Sequence, residues 1–284
     1  MKSVVTLGTF DGVHKGHQAI LKKLVRTAQK ENLKSIVLVF EKPVKQVSGI
    51  LTTINEKFKY FLPFDIDDVF VLPVNKKITS ITAEKFLEDF LIKELNASHL
   101  VVGYDCTFGK DRKGNIEWLK KNIKKYDIKL TVVKPVKINN KIVSSSLIRE
   151  ELEKNNIKEV NKMLGGSFGI EGTHITGDRI GRTLGFPTVN IKTDKNKLLP
   201  RGVFSCSVID KNYTLYKGVL NIGTRPSVKL KKHNLSVEVH LINFSGTWRS
   251  KQLTVLINKF IRPEQKFNNL EELKKAIASD IKKA

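Results

Sequence analysis

One stretch decides the fold of the first half of this 284-residue chain: Val4-Val5-Thr6-Leu7-Gly8-Thr9-Phe10-Asp11-Gly12-Val13-His14-Lys15-Gly16-His17. Its first four residues have the short, β-branched pattern of a buried strand, which the glycines at positions 8 and 12 end. From position 19 onward the apolar residues follow helical spacing. The sequence therefore places a His-x-Gly-His motif where a strand passes into a helix.

This junction favours an anion, because backbone N–H groups at a helix N-terminus are unpaired and the helix dipole is positive there. His14 and His17 lie three residues apart, so they share one face of the helix. Gly16 leaves room for a phosphate to approach the backbone. A turn with two solvated histidines is the alternative, but the complete strand, turn and helix context favours a phosphate site.

The motif over residues 8–17 resembles that of the HxGH nucleotidylyltransferase superfamily. It is most similar to the flavin branch, the prokaryotic bifunctional riboflavin kinase/FMN adenylyltransferases. The superfamily also contains enzymes with other acceptors, so this motif alone leaves the substrate open. The resemblance implies that His14 and His17 are catalytic. It also implies nucleotide contacts from four residues of the turn: Gly8, Phe10, Asp11 and Gly16.

Length and composition are those of a globular protein with room for two domains, each with its own core. No apolar run approaches the roughly 20 residues needed to span a membrane. The chain enters its first strand without a secretory signal pattern. Cys106 and Cys206 form no metal-ligand cluster, so we expect free thiols in a reducing compartment. Together these features predict a cytoplasmic protein.

The formal net charge of +23 is a feature shared with many nucleic-acid-binding proteins. However, only nine of the 51 basic residues are arginine, the side chain suited to bidentate recognition of phosphates and bases. The excess charge is spread over both halves, and no helix-turn-helix, zinc-finger or RNP pattern is present. A solvated, lysine-rich surface is therefore favoured, and nucleic-acid binding stays a remote alternative.

Strand and helix patterns alternate through the first 134 residues, which predicts an α/β domain with a parallel sheet flanked by helices. The predicted strands are 4–8, 35–40, 69–73, 100–103 and 130–133. The predicted helices are 17–31, 56–62, 83–95 and 116–126. Because ligands bind at the carboxyl ends of such strands, we expect residues 8–17, 40–43, 103–114 and 135–146 at one rim.

The pattern changes at Leu164-Gly165-Gly166-Ser167, which we take as the boundary between a domain of residues 1–164 and one of residues 165–284. Beyond it, short β-rich runs separated by turns predict an antiparallel barrel or sandwich, of which we choose the β-barrel. These runs are 168–176, 203–209, 215–222, 235–244 and 253–260. A terminal helix follows, with Asn269 and Glu272 in capping-box spacing.

A second motif lies in this half: Gly177-Asp178-Arg179-Ile180-Gly181-Arg182-Thr183-Leu184-Gly185-Phe186-Pro187-Thr188-Val189-Asn190. Its glycines suit a loop that wraps phosphates with backbone N–H groups, although the spacing is not that of a Walker A loop. Thr188 and Asn190 lie two apart on an extended segment, so both oxygen donors face the same way, as Mg²⁺ would need. The run resembles the riboflavin kinase signature, which implies that these two residues bind Mg²⁺. It also implies phosphate contacts from Gly177, Arg179, Gly181 and Gly185.

Two further segments of the second half resemble the same family. Val237-Glu238-Val239-His240-Leu241 is similar to the strand with the catalytic carboxylate, which implies that Glu238 is the general base. An exposed strand residue without chemistry is the alternative. The segment 218–226 is similar to the family's Asn-Ile-Gly-x-Arg-Pro motif, which implies flavin contacts from Asn221 and Arg225.

Two loops of the first half complete the resemblance. Residues 102–114 are similar to the family's flavin and nucleotide loop, which implies flavin contacts from Asp105, Phe108 and Gly109. Residues 144–149 are similar to its Ser-Ser-Thr-x-Ile-Arg motif. A hydroxyl cluster at a helix start with an arginine one turn in suits a polyphosphate, whereas a plain helix cap is the alternative. The nucleotide contacts implied here are Ser144, Ser145, Ser146 and Arg149.

The resemblance implies two activities: ATP-dependent phosphorylation of riboflavin to FMN, then adenylylation of FMN to FAD with release of pyrophosphate. It implies Mg²⁺ as the cofactor, riboflavin, FMN and ATP as substrates, no membrane partner, and flavin-requiring apoproteins as recipients. One departure is Phe40-Glu41-Lys42-Pro43-Val44, which lacks the histidine of the usual Phe-Glu/Asp-Pro-His-Pro. A kinase whose first domain is impaired or redirected is therefore the alternative.

Overall fold

In the computed structural model, which describes residues 1–177, 181, 184–224 and 235–284, the chain divides into two units. The first is Met1–Ser145 and the second is Ser146–Ala284. Each unit has its own sheet, and each is described by itself below. No helix in the described part of the chain has the length and apolar character needed to cross a membrane.

A parallel sheet forms the centre of the first unit, as the sequence predicts. Its strands are β1 (Ser3–Gly8), β2 (Lys34–Phe40), β3 (Asp68–Leu72), β4 (Ala97–Gly103) and β5 (Lys129–Val133). The strand order is β3-β2-β1-β4-β5, and all neighbours run parallel. The order reverses between β1 and β4, so the loops after these two strands flank the point where such sheets bind their ligands.

Helices connect these strands: α1 (Lys15–Glu31), α2 (Ile54–Phe61), α3 (Lys76–Thr79), α4 (Ala83–Lys85) and α5 (Ile116–Asn122). After α4 the chain continues as a π-helix, Phe86–Glu94, where the sequence predicts one regular helix. Short 3₁₀ turns cover Leu62–Phe64, Lys110–Arg112 and Ile123–Tyr126. Two short strands of two residues each, β6 (Lys137–Ile138) and β7 (Lys141–Ile142), form a hairpin that the sequence did not predict.

The alternation of β1 buries both faces of the sheet. Val5 and Leu7 face one apolar cluster, whereas Val4 faces the other together with Leu21 and Leu24 of α1. Successive strand residues point to opposite faces, which explains why a buried parallel strand is apolar along its whole length. The position of β1 in the sheet therefore fixes where the HxGH turn begins, at Gly8.

The second unit is a closed barrel, and the choice of a barrel over a sandwich is confirmed. Its strands are β8 (Phe168–Ile175), β9 (Thr188–Thr193), β10 (Gly202–Asp210), β11 (Leu215–Thr224), β12 (Leu235–Leu241) and β13 (Gln252–Arg262). The order is β10-β11-β12-β9-β8-β13, and each pair for which a register is described is antiparallel. Two helices precede it, α6 (Ser145–Glu153) and α7 (Ile157–Leu164).

The terminal helix α8 (Leu270–Lys283) begins at the predicted cap, where the Asn269 side chain accepts a hydrogen bond from the Glu272 N–H at 2.8 Å. Arg262, at the end of β13, holds this helix against the barrel. Its guanidinium donates to both carboxylate oxygens of Asp280 at 2.8–3.1 Å, and the Asp280 carboxylate is almost fully buried. A bidentate pair of this kind fixes orientation as well as proximity.

Helix α7 contacts the barrel through strands β8 and β13. The Asn161 amide donates to the Ile257 carbonyl at 2.9 Å and accepts from the Phe168 N–H at 2.9 Å. Val160 and Met163 are buried. A domain boundary between residues 164 and 165 stays a prediction, and α7 gives it a direct test.

We expect fragments 146–284 and 165–284 both to fold, with the shorter one less stable by several kcal/mol, since each buried apolar side chain removed costs about 1.5–3 kcal/mol. Urea unfolding followed by circular dichroism measures the difference. A shorter fragment that lacks a cooperative transition would show that α7 belongs to the barrel's core.

Candidate active sites

The turn between β1 and α1 is strained. Phe10 and Val13 have φ angles of 48° and 39°, in the left-handed region that side chains other than glycine rarely adopt. The Phe10 ring packs edge-on against Phe61 of α2 at 5.8 Å and lies 5.2 Å from the His17 ring. Gly8 makes this possible, because a Cβ there would lie 3.3 Å from the Phe10 ring. The turn therefore depends on packing from α2.

Asp11 fastens the same turn to the residues that precede α2. Its carboxylate is buried, and Oδ1 accepts from the N–H groups of Leu51 and Thr52 at 2.9 and 3.0 Å. The Thr52 hydroxyl lies 3.3 Å from that oxygen and accepts from the Gly12 N–H at 2.8 Å. This network gives Asp11 a structural task in holding the turn, and its contact with a nucleotide stays a prediction.

The two histidines of the motif are stacked. His14 caps α1, and its Nδ1 accepts from the His17 N–H at 3.4 Å. The two ring centroids are 3.6 Å apart, with the planes 18° from parallel. Gly16 makes room for this stack, since a Cβ there would lie 3.1 Å from the His14 ring. Gly16 therefore leaves room for the His14 ring as well as for any phosphate that approaches the backbone.

Burial keeps both imidazoles neutral. It lowers the pKa of His14 to about 4. Burial, followed by the charges of His14 and Lys57, lowers the pKa of His17 well below its ordinary value. The Nδ1 atom of His17 is buried and has no hydrogen-bond partner within the described structure. A buried polar atom without a partner costs free energy, so this nitrogen is available to a ligand.

One other predicted segment, residues 144–149, reaches this turn at Ser145. The Ser145 hydroxyl donates to the Asp11 carbonyl at 2.8 Å, which brings it to the HxGH turn. Ser144 is half-buried. Ser146 is exposed and Arg149 is buried on α6, both on the second unit's side of the division. We call the cluster of Asp11, His14, His17 and Ser145 the HxGH site.

The loop after β4, together with the loop after β1, flanks the point where the strand order reverses. Asp105 is exposed, and the loop is closed by paired backbone hydrogen bonds between Phe108 and Gly114 at 2.8 and 3.0 Å. Phe108 packs on Phe86 and Trp118 and is 3 % exposed, so its ring serves the core. Gly109 has a φ of 71°. Flavin contacts from this loop stay predictions.

Three polar residues align across neighbouring strands of the barrel. Glu238 of β12 is directly opposite Asn221 of β11 on one side and Asn190 of β9 on the other. The Thr188 hydroxyl lies 3.5 Å from a Glu238 carboxylate oxygen. All four side chains share the face opposite to the buried Val237 and Val239, as the period of two requires. We call this cluster the barrel site.

Glycines of the second motif fit closely beside the barrel site. A side chain at Gly177 would collide with the Asn190 amide, and one at Gly181 with the Phe186 carbonyl. Gly185 has a φ of 86°. The glycines therefore allow the loop to lie against β9. Arg179 and Arg225, for which the sequence predicts phosphate and flavin contacts, fall outside the described residues.

His240 is a residue that the sequence analysis left without a role. Its Nδ1 lies 2.9 Å from the Pro187 carbonyl, and its ring meets Phe186 edge-on at 5.5 Å. It is directly opposite Thr188 in the register of β12 and β9. Its position two residues after Glu238 was the available signal, because strand residues two apart share a face.

Fold and geometry together define a class: an HxGH nucleotidylyltransferase unit joined to a β-barrel with a carboxylate, hydroxyl and amide site. The family models agree with this division, since residues 1–147 match FAD synthetase and residues 164–284 match riboflavin kinase. The chain belongs to the family of bifunctional riboflavin kinase/FMN adenylyltransferases.

Relatives of that description cover nearly the whole chain. The one from Buchnera aphidicola subsp. Schizaphis graminum is 38 % identical over 98 % of this chain and 92 % of its own length. The Escherichia coli K12 relative is 34 % identical over 98 % of this chain and 90 % of its own. A crystal structure described as a macrolide-efflux protein from Streptococcus pneumoniae has a TM-score of 0.88 at 27 % identity, covering 99 % of this chain and 93 % of that one.

These comparisons confirm the family inferred from the motifs. Both halves match, so the chain carries a FAD synthetase domain and a riboflavin kinase domain, and the comparisons favour two activities over a kinase with an impaired first half. The departure at residues 40–44 does not prevent the first half from matching its family model.

The depressed pKa of His14 predicts a pH-dependent stability. In the unfolded chain His14 takes up a proton near pH 6.5, whereas in the folded protein it takes up this proton only near pH 4. Stability is therefore full above pH 6.5 and falls below it, by about 1.5 kcal/mol between pH 6.5 and 5 for this one group. We expect His14→Gln to lose less stability than the wild type over that interval.

A Trp248→Phe background isolates the first unit, because Trp118 is then the only one of the two tryptophans left. Urea unfolding followed by its fluorescence gives the free energy at each pH. Identical pH dependence with and without His14 would contradict the prediction.

Proposed function

We propose that the HxGH site adenylylates FMN and that the barrel site phosphorylates riboflavin, with the residue roles given below. The observation that carries the proposal is that each unit, matched by a different family model, contains one polar cluster built on residues of that family's motif. Two chemistries therefore have two separate places in the chain.

In the barrel site, Glu238 acts as the general base. It accepts the proton of the riboflavin ribityl 5′-hydroxyl as that oxygen attacks the γ-phosphorus of ATP, and the bond from that phosphorus to the leaving ADP oxygen breaks. In this proposal Asn221, directly opposite Glu238, orients the flavin chain. His240 holds the Pro187 carbonyl and thereby the backbone that presents Thr188.

The donor set fits a magnesium ion that arrives with the nucleotide. Thr188 and Asn190 offer neutral oxygens on one face of β9, and Mg²⁺ commonly takes few protein ligands together with water and phosphate oxygens. Within the described part of the chain, no group of three or more His, Cys, Asp or Glu residues could hold a metal by itself. When bound, the ion would neutralise charge on the transferring phosphates.

In the HxGH site, an FMN phosphate oxygen attacks the α-phosphorus of ATP, and the bond to the pyrophosphate oxygen breaks. The phosphate is already a nucleophile, so the protein's task is to hold and stabilise the charged oxygens. In this proposal the neutral imidazoles of His14 and His17 donate hydrogen bonds to these oxygens, and the positive end of the α1 dipole stabilises them. Ser144, Ser145, Ser146 and Arg149 are further phosphate ligands in this proposal.

The order of the reactions follows from their chemistry, because the FMN made in the barrel is the acceptor in the HxGH site. A cytoplasmic location fits this use of ATP. Delivery of FAD to apoproteins that require flavins is the remaining step of the proposal.

His17→Ala is expected to lower FAD formation from FMN by about a hundredfold or more, as for other preorganised groups that stabilise charge. Riboflavin phosphorylation should be nearly unchanged. Chromatographic separation of riboflavin, FMN and FAD after incubation with ATP and Mg²⁺ measures both reactions in one sample. An equal loss of both activities in a folded variant would contradict the two-site assignment.

Glu238→Gln is expected to give the opposite result. The amide keeps the size of the side chain but cannot take the proton, so riboflavin phosphorylation should fall by about 10²–10⁴-fold. Adenylylation of supplied FMN should continue. Phosphorylation at near wild-type rate from pH 6 to 9 would reduce Glu238 to a strand residue without chemistry.

A further inference from the structure

The segment that follows the last barrel strand contacts the strand that carries Asn221, and the mechanism above gives this segment no role. Strand β13 ends at Arg262, and Pro263 and Glu264 come directly after it. The Glu264 carboxylate lies at the end of β11, where the Thr224 N–H donates to its two oxygens at 3.1 and 3.4 Å. A carboxylate that accepts a backbone N–H forms a charge-assisted hydrogen bond, which is stronger than a neutral one.

This bond supports β11 beyond the point where its neighbouring strand begins. Strand β10 starts at Gly202, directly opposite Ile222 of β11. Thr224 therefore lies past the end of the ladder between β10 and β11. A backbone N–H away from open water needs a partner, and Glu264 supplies one to the half-buried Thr224. The carboxylate thus extends the support of β11 two residues past β10.

Gly223 shows on which face of the barrel the carboxylate lies. A Cβ at this position would collide with the Glu264 carboxylate, so the glycine leaves the space that the carboxylate fills. Residues two apart in a strand share a face, and Gly223 is two residues after Asn221. The Glu264 carboxylate therefore lies on the face that carries the barrel site. It covers a position about 7 Å along β11 from Asn221, since a strand rises about 3.4 Å per residue.

Two further contacts hold the segment that carries Glu264. The Arg262 guanidinium donates to both carboxylate oxygens of the buried Asp280 on α8 at 2.8–3.1 Å. The Arg262 backbone is directly opposite Val203 at the start of β10. The ring of Pro263 fixes its φ angle, which stiffens the connection from Arg262 to Glu264. The terminal helix and the end of β11 are thereby joined through three consecutive residues.

We propose that Glu264 is a positioning residue of the barrel site, which fixes the end of β11 so that Asn221 meets the flavin chain in register with Glu238. Asn221 and Glu238 are directly opposite each other, so their alignment depends on the place of β11 against β12. Glu264 acts through the backbone of β11 and touches neither the phosphates nor the metal. The proposal deepens the riboflavin kinase function proposed above and rests on it.

The position of Glu264 separates the two substrates of the kinase. The proposed magnesium ligands Thr188 and Asn190 lie on β9, which is on the other side of β12 from β11. Loss of Glu264 should therefore weaken the binding of riboflavin and leave the binding of ATP unchanged. A general loss of barrel stability would affect both substrates.

The test measures riboflavin phosphorylation by the full chain, with each substrate varied in turn. Glu264→Ala removes the carboxylate, and Glu264→Gln keeps a side-chain oxygen that can accept from the Thr224 N–H. Glu264 is exposed, so its truncation opens no cavity in the barrel. Glu271→Ala is the matched control, because it removes another exposed glutamate, in the first turn of α8.

We expect Glu264→Ala to raise the KM for riboflavin about tenfold, as for loss of a charge-assisted hydrogen bond. The KM for ATP should stay within about twofold and kcat within about threefold, because only flavin binding is weakened. Glu264→Gln should raise the riboflavin KM by about threefold at most, since a neutral acceptor remains. Glu271→Ala should match the wild type.

A second readout tests the contact itself through Gly223. Gly223→Ala places a Cβ against the Glu264 carboxylate, so it should raise the riboflavin KM and lower the urea midpoint of the second unit. In Glu264→Ala that space is free, so adding Gly223→Ala should change neither quantity much further. Contacting residues are non-additive in this way, whereas independent sites add. In a Trp118→Phe background, the fluorescence of Trp248 reports on the second unit.

Three results would overturn the proposal: an unchanged riboflavin KM in folded Glu264→Ala, an ATP KM that rises as much as the riboflavin KM, or additive effects of Gly223→Ala and Glu264→Ala. If Glu264→Ala does not fold, Gly223→Ala decides: a selective rise in riboflavin KM supports the proposal, and any other result rejects it. A wild type that phosphorylates no riboflavin would reject the proposed function, whereas the urea midpoints still test the contact between Gly223 and Glu264.

Discussion

The geometry of the HxGH site depends on the buried carboxylate of Asp11. Its hydrogen bonds to Leu51 and Thr52, together with the packing of Phe10 on Phe61, hold Phe10 and Val13 in left-handed conformations, each of which costs about 1–3 kcal/mol. The stack of His14 on His17 follows from the turn, since His14 is both the last residue of the turn and the cap of α1. Asp11, which the sequence analysis predicted to contact the nucleotide, therefore also holds the turn that carries His14 and His17.

The barrel site is built on a different principle. Strand register sets the positions of Asn221, Glu238 and Asn190, and no strained backbone is needed to bring them together. A shift of one residue in β12 would turn Glu238 into the barrel interior and expose Val237 and Val239, so the buried apolar face specifies the site's register. Gly177 and Gly181 lie so close to Asn190 of β9 and to the Phe186 carbonyl that a side chain at either glycine would collide.

The sequence predicted all five strands of the parallel sheet and five of the six barrel strands, because each carries a strong local signal, such as the β-branched run of β1. It did not predict β9 or the short strands β6 and β7. The capping pair Asn269 and Glu272 likewise predicted the terminal helix. It also predicted which loops share the rim, since parallel strands end at one edge. It could not predict that Thr52 and Asp11 meet, because forty residues separate them and only the packing of α2 joins them. For the same reason the sequence could not predict that Phe108 packs in the core against two aromatic rings, Phe86 and Trp118. Its contact with the flavin stays a prediction. The burial of Lys57 carries no sequence signal, because lysine on a helix is ordinarily solvated.

The two sites differ in their electrostatic character. The HxGH site is lined by two imidazoles that burial keeps neutral, so its histidines offer hydrogen bonds rather than charge. The barrel site contains the Glu238 carboxylate, and the oxygens of Thr188 and Asn190 carry no charge to offset it. In the proposed kinase reaction, a magnesium ion that arrives with the nucleotide would neutralise charge on the transferring phosphates. Charges at the protein surface contribute less to either site, because they act across water and are screened within about 8 Å at physiological salt.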